Sequence, residues 1–223
     1  RTPHTGMMRY DEALPKIPAA ALSIPDAEVL RRLIDAGEPV RLRLSLGAKT
    51  LPDAEGASVI GEIPGSKRPE EIVLLGAHLD SWDLGHGAID DGAGCGIVIE
   101  AGRQIARLAE RPARTLRFVL FANEENGLAG GKAYAKEHAA ELDRHVLAIE
   151  ADFGAARVFE SRFLGAERAR PAFLALSAQV AALGITPSEG EAEGGADIST
   201  LMAAGVPVVD LRQDGTSYFD IHH

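Results

Sequence analysis

Hydrophobic positions change their spacing in a regular way along most of this chain. From Ser58 onwards, short uninterrupted apolar runs such as 72–75 predict buried strands, and the stretches between them have apolar positions three and four apart, which predicts helices. Because strands alternate with helices, we expect an α/β three-layer sandwich with a mainly parallel mixed sheet. The predicted strands are 59–63, 72–75, 116–122, 146–149 and 206–211, and the predicted helices are 92–108, 127–142, 171–183 and 198–204.

The front of the chain has a different pattern. Two short strands are predicted at 18–24 and 40–46, the second from its alternation of apolar and charged residues, with a helix between them that ends at Gly37. We therefore predict two regions. Residues 1–50 would be the tail of a small β-rich domain with its connector, and 51–223 the main domain.

Composition excludes several classes of partner. The 223 residues carry 33 acidic and 23 basic side chains, a net charge of -10, which argues against binding to nucleic acid or to an anionic membrane. No apolar run approaches the roughly 20 residues that span a bilayer. The single cysteine, Cys95, excludes an intrachain disulfide. Because the chain starts at Arg1 rather than Met, we expect a processed or truncated N-terminus. The lack of a signal peptide in this sequence is therefore no argument against export of the protein.

Acidic side chains and a histidine follow several of the predicted strands. Because the carboxyl ends of parallel strands meet at one edge of a sheet, we expect these side chains to converge there. Buried like charges repel and cost free energy unless something neutralises them, and a pair of divalent cations would do so. The residues concerned are His78, Asp80, Asp90, Asp91, Glu124, Glu125 and Asp152.

Each of these signals also has a plainer interpretation. A lone His-x-Asp is more often a buried histidine with its hydrogen bonds satisfied, and adjacent glutamates are more often a solvated turn. Asp91 is explained as the cap of the helix that follows it. As a set, however, the residues fit two zinc ions that share one carboxylate and each keep an open position for water. The set comprises His78, Asp90, Glu125, Asp152 and one of the two terminal histidines.

Five motifs, taken in order, resemble those of the di-zinc exopeptidases of the aminopeptidase type, and most of all their plasma glutamate carboxypeptidase-like (carboxypeptidase Q-like) branch. The motifs are GAHLDSWD, AIDDGAG, NEENG, EAD and YFDIHH. Segments of the front part, among them PKIPAAALSIPDAEVL, resemble the connector to a protease-associated domain in that branch. The resemblance therefore covers nearly the whole chain and implies the zinc exopeptidase fold.

The resemblance also implies roles for single residues. Asp90 would bridge two zinc ions through a cis peptide to Asp91, while Glu124 would be the general base and acid for a water held between the metals. Asp80 would orient His78. The first zinc would be completed by His78 and Glu125, and the second by Asp152 and His223.

The implied activity is hydrolysis of dipeptides or short peptides with a free N-terminus. The resemblance further implies a secreted or periplasmic protein, leaves a homodimer open, and implies that the catalytic domain lacks its C-terminal part in this chain. Two alternatives remain: a glutaminyl-cyclase-like aminoacyl transferase with one zinc, and a receptor-like relative without catalysis. The complete ligand set argues against both.

Overall fold

The computed structural model describes residues 3, 11, 13–49, 51–82 and 85–222. The chain divides into two compact units, Arg1–Glu55 and Gly56–His223. Within the described residues, no helix is both long and apolar enough to cross a bilayer.

The described residues of the first unit include one helix, α1 (Ile24–Asp35). The Ser23 side chain caps it by accepting a hydrogen bond from the Asp26 amide, and a proline lies in the first turn, where the missing N–H costs nothing. None of the described residues between 13 and 49 lies in a strand, so the strands predicted at 18–24 and 40–46 are wrong. An alternating pattern forms a strand only where a neighbouring strand takes up its main-chain hydrogen bonds.

Seven strands of the second unit form one mixed sheet. They are β1 (Val59–Ile63), β2 (Arg68–His78), β3 (Arg114–Phe121), β4 (His145–Glu150), β5 (Val158–Leu164), β6 (Thr186–Pro187) and β7 (Val208–Gln213). Their order across the sheet is β1-β3-β2-β4-β7-β5-β6. The central strands β3, β2, β4 and β7 run parallel, whereas β1 and β5 pair antiparallel with β3 and β7. The predicted α/β fold with a mainly parallel mixed sheet is confirmed.

Helices pack on both faces of this sheet. They are α2 (Gly92–Ile105), α3 (Ala129–Glu137), α4 (Arg170–Val180), α5 (Ser199–Ala203) and α6 (Tyr218–Ile221). The core beneath α3 and α5 joins Val119 of β3 to Leu201 of α5. The adjacent residue of β3, Phe118, points to the opposite face, where an added Cβ on Gly102 of α2 would lie 3.3 Å from its ring.

The sequence pattern missed three elements: β5, β6 and α6. The β5 sequence VFESRFL mixes charged and apolar residues, because the strand is only partly buried. Its alignment is set by pairing with β7, about 50 residues further on, which no local pattern encodes. The predicted helix 127–142 divides into α3 and a 3₁₀ segment, Ala139–Arg144.

Candidate metal centre

Three neighbouring parallel strands end at the same level of the sheet. His78, the last residue of β2, pairs with Phe121, the last residue of β3, while Gly76 of β2 pairs with Glu150, the last residue of β4. The loops that follow therefore start side by side. This places Glu124, Glu125 and Asp152 around His78, as the strand pattern predicts.

His78 lies at the centre of the resulting cluster and is 1% exposed. Its Nε2 atom lies 3.0 Å from Asp90 Oδ1 and 3.3 Å from Asp152 Oδ1. Two sets of three donor atoms, each within 4.8 Å of one another, share this histidine. One set is His78, Asp90 and Asp152, and the other is His78, Glu124 and Glu125.

Asp91 fixes the start of α2 against the end of β2. Its Oδ1 atom accepts from the Gly94 amide, which confirms Asp91 as the helix cap, and its Oδ2 atom accepts from the His78 amide at 2.9 Å. The peptide between Asp90 and Asp91 is cis, as the family resemblance implies. A single buried carboxylate thus sets the distance between the histidine and the loop that carries Asp90.

Asp80 contacts the His78 ring through its main chain and not through its carboxylate. The main-chain carbonyl of Asp80, not its carboxylate, lies 3.1 Å from His78 Nδ1, and the nearest carboxylate oxygen is 3.7 Å away, too far for a hydrogen bond. The carboxylate instead accepts from the amides of Glu124 at 2.8 Å and Glu125 at 3.1 Å. The carboxylate turns away from His78 because both amides of this tight turn point at it. The Nδ1 atom of His78 already has the Asp80 carbonyl as its partner.

Burial and charge oppose each other at His78. Burial by itself lowers the pKa of the imidazole, but hydrogen bonds with Asp152 and Asp90 outweigh it and raise the pKa to about 12. The carboxylates around His78 therefore favour the protonated imidazole, whose charge offsets part of theirs.

The carboxylates themselves are held in an unfavourable environment. Burial first, and then the charge of Asp152, raises the pKa of Glu124 to about 7. Burial and the charge of Asp90 raise the pKa of Glu125 to about 7, and burial also raises the pKa of Asp152. Like charges this close stay ionised at neutral pH only if a cation joins them.

Two further carboxylates lie behind the cluster, one half-buried and one fully buried, and sequence reasoning gave neither of them a role. The oxygens of Glu150 accept from the amides of Asp197 and Ile198, and burial raises the pKa of Glu150 well above its usual range. Asp197 is 0% exposed, with a pKa raised by burial and by Glu124 to about 7. It does not cap the following helix, which has no side-chain cap. The sequence feature that could have pointed to Asp197 is the acidic, glycine-rich loop 188–197, which this residue ends.

The last predicted ligand, His223, lies outside the described residues, so its contacts stay a prediction. Its neighbour His222 packs against Tyr218, with the ring centroids 4.9 Å apart. Tyr218 in turn donates its hydroxyl to Asp90 Oδ2 at 2.8 Å.

The donor set fits zinc. Imidazole nitrogen and carboxylate oxygen are zinc ligands, and the described residues offer both within one small buried volume. The raised carboxyl pKa values show that the cluster has more buried negative charge than His78 alone relieves. A bound divalent cation would relieve it.

An α/β fold with a mixed sheet and a histidine–carboxylate cluster at its carboxyl edge is the arrangement of a zinc-peptidase class of protein. Residues 58–223 match the description "Peptidase family M28", and the chain belongs to this family. Over 222 residues it is 40% identical to carboxypeptidase Q of Mus musculus, covering 100% of this chain and 47% of that protein.

Solved structures agree with this assignment. The crystal structure of a peptidase M28 precursor from Shewanella amazonensis is 48% identical, with a TM-score of 0.96, and the match covers 100% of this chain and 50% of that one. BSAP, a zinc aminopeptidase from Bacillus subtilis, has a TM-score of 0.55 at 22% identity, over 72% of this chain and 40% of that one, a likeness of fold alone. The chain spans about half the length of the curated relatives it matches.

Proposed function

We propose that this protein is a zinc-dependent exopeptidase that hydrolyses dipeptides or short peptides with a free N-terminus. The observation that carries the proposal is the pair of donor sets that share His78 at the carboxyl ends of three parallel strands. Membership of a peptidase family supports the same reaction class.

Two zinc ions are proposed, with Asp90 between them. The family resemblance pairs His78 with Glu125 and Asp152 with His223. Because His78 Nε2 lies 3.3 Å from Asp152 Oδ1, however, His78 and Asp152 would complete one ligand set, and Glu125 and His223 the other. The position of Asp90 supports this arrangement, because its Oδ1 faces His78 while its Oδ2 is turned towards Tyr218. The carboxylate therefore presents its two oxygens in different directions, as a bridging ligand must.

Glu124 is the proposed general base. Bound zinc would supply a Lewis acid that lowers the pKa of water and polarises the scissile carbonyl. Glu124 would accept the proton of the attacking water and pass it to the leaving amine. Its half-buried carboxylate, with a pKa raised to about 7, suits a group that must take up and release a proton near neutral pH.

The proposed preference for a free N-terminus rests on the family resemblance, because the bound cations would neutralise the carboxylates around His78. A secreted or periplasmic location and a homodimeric state remain predictions from the family resemblance. Cell fractionation and size-exclusion chromatography would test them.

The decisive variant is Glu124→Gln, which keeps the shape of the side chain and removes the base. We expect turnover of a dipeptide panel to fall by about 10²- to 10⁴-fold, with zinc content by mass spectrometry unchanged. Glu137→Gln, an exposed glutamate on α3, is the matched control and should keep full activity. Near-normal turnover by Glu124→Gln would remove Glu124 from the mechanism.

The substrate panel also separates the alternatives. Dipeptides, their N-acetylated forms and a peptide with N-terminal glutamine are assayed before and after removal of metal by a chelator. Cyclisation of the glutamine peptide by a protein with one zinc per chain would favour the cyclase-like alternative. Absence of binding to any divalent metal would favour the non-catalytic one.

A further inference from the structure

One tyrosine joins the candidate metal centre to the last helix of the described chain. The hydroxyl of Tyr218, at the start of α6, donates to Asp90 Oδ2 at 2.8 Å. Tyr218 is buried, at 8% exposed, and lies 128 positions from Asp90 along the sequence. No motif assigned it a role, since an aromatic residue near a cleft is more often there for packing.

The ring of Tyr218 is held firmly from more than one side. It stacks on Phe153, with centroids 4.3 Å apart and planes at 20°, and Phe153 directly follows Asp152. Gly154 lies against the same ring, where an added Cβ would come within 3.2 Å of it. The φ angle of Gly154 is +80°, a conformation that favours glycine. These contacts hold the ring in place, so that its hydroxyl points at Asp90.

With this hydrogen bond, each oxygen of the Asp90 carboxylate has a side-chain partner. Oδ1 lies 3.0 Å from His78 Nε2, and Oδ2 accepts from Tyr218. Contacts at both oxygens restrict rotation of the carboxylate about its last torsion angle.

We propose that Tyr218 is a positioning residue for Asp90 and that its hydroxyl raises the affinity of the cluster for a divalent cation. The inference rests on the proposed metal function. Groups that hydrogen-bond to metal ligands fix ligand orientation, and their loss typically costs 10- to 100-fold in metal affinity. If Tyr218 served only to fill space, the ring alone would suffice and the hydroxyl would not matter.

Tyr218→Phe tests this directly, because it keeps the ring that stacks on Phe153 and removes only the hydroxyl. Zinc alone is the probe, and its affinity is measured by equilibrium competition with a chromogenic chelator. We expect a loss of about 10- to 100-fold. Circular dichroism and urea unfolding of the metal-free proteins, measured in parallel, should show that the variant is folded.

Tyr134→Phe is the matched control. Tyr134 is also a buried tyrosine with a bonded hydroxyl, which accepts from Arg117 and lies 2.7 Å from His145 Nε2, but these partners belong to a separate network. This variant should lose stability and keep the zinc affinity of the wild type. A similar loss of affinity in both variants would attribute the effect to general loosening and overturn the proposal.

The route through Asp90 is tested by a double-mutant cycle with Asp90→Asn. If the hydroxyl acts through Asp90, adding Tyr218→Phe to that variant should cause little further loss of zinc affinity. Fully additive losses, or wild-type affinity in Tyr218→Phe, would contradict the inference while leaving the proposed function intact. Failure of the wild-type protein to bind zinc would instead contradict the proposed function.

Discussion

The carboxylate of Asp80 accepts a hydrogen bond from the main-chain amide of Glu124 at 2.8 Å, and its second oxygen accepts from the next amide, that of Glu125, at 3.1 Å. The proposed base and a proposed zinc ligand thus lie on a turn that one side chain from the loop after β2 holds in place. Through its own carbonyl, the same residue contacts His78. Asp80 therefore couples the ends of β2 and β3.

Asp80→Asn should weaken this turn without altering its size. An amide side chain has one oxygen to accept with, so one of the two main-chain donors loses its partner. We expect about a 10- to 100-fold loss in kcat, because a small displacement of the base is costly. The expected loss of unfolding free energy is only about 1 kcal/mol, since the turn is half-exposed.

Steady-state kinetics and urea unfolding check this prediction. Asp143→Asn, at an exposed position in the 3₁₀ segment, is the control and should change neither quantity. Unchanged kcat in Asp80→Asn would mean that the turn holds its shape without the carboxylate.

Two glycines of α2, two positions apart, should respond in opposite ways to alanine. A Cβ on Gly94 would lie 1.8 Å from the carbonyl oxygen of Ala151 and 2.2 Å from Asp91 Oδ1, whereas a Cβ on Gly96 meets nothing within 4 Å. Gly94→Ala should cost about 3 kcal/mol or more, because it pushes the helix away from the loop before Asp152. Gly96→Ala should stabilise by about 0.5–1 kcal/mol.

Thermal and urea unfolding of the two variants provide the measurement. Since both changes add the same methyl group to the same helix, the difference between them isolates the close approach at Gly94. Equal stabilities would contradict the packing described for the start of α2.

Removing the Asp91 side chain should be more damaging than removing an ordinary helix cap. Asp91→Ala leaves the buried amides of His78 and Gly94 without their acceptor, which we expect to cost about 2–4 kcal/mol in unfolding free energy. Ser23→Ala removes the cap of the exposed helix α1 and should leave the unfolding of the second unit unchanged. Urea unfolding followed by tryptophan fluorescence from Trp82 reports on the second unit.

Acid should destabilise the fold through His145. Burial lowers the pKa of this imidazole below its ordinary value of 6.5, and its two nitrogens lie against the Tyr134 hydroxyl and the Glu141 carbonyl. Arg117 and His138 lie in the same network. A group whose pKa is lower in the folded state takes up its proton more readily when unfolded. Its contribution to stability is therefore complete above pH 6.5 and is lost as the pH falls below it.

His145→Gln removes this titration. The difference in urea midpoint between the wild type and this variant should shrink as the pH is lowered from 7.5 to 5, which separates His145 from the carboxylates of the metal centre that titrate in both proteins. A difference that stays constant over this range would show that His145 does not titrate there.

Much of the candidate site could be predicted from local pattern. Apolar runs that end in His78 and shortly before Glu124 and Asp152 indicate parallel strands, and parallel strands end at one edge. The helix cap at Asp91 follows from its position before a helical stretch. These inferences hold because burial and capping depend on residues close together in the sequence.

Other features depend on residues far apart. The partners of the Asp80 carboxylate lie 44 and 45 positions away, and Tyr218 reaches Asp90 across 128 positions. The strand β5 and the burial of Asp197 likewise depend on distant segments. No periodicity of the chain encodes which donor faces which acceptor over such separations.

The sequence by itself determined the alternation of the central strands with helices, the edge of the sheet where the chemistry gathers and the residue types gathered there, because hydrophobic periodicity and strand ends are local properties. Tertiary structure alone decided that the carboxylate of Asp80 bonds the turn of Glu124 while its carbonyl contacts the His78 ring, that Tyr218 holds Asp90, and that the front strands do not form. Each of these outcomes is a competition among hydrogen-bond partners, and the winner depends on which groups the packed chain brings within about 3 Å of one another.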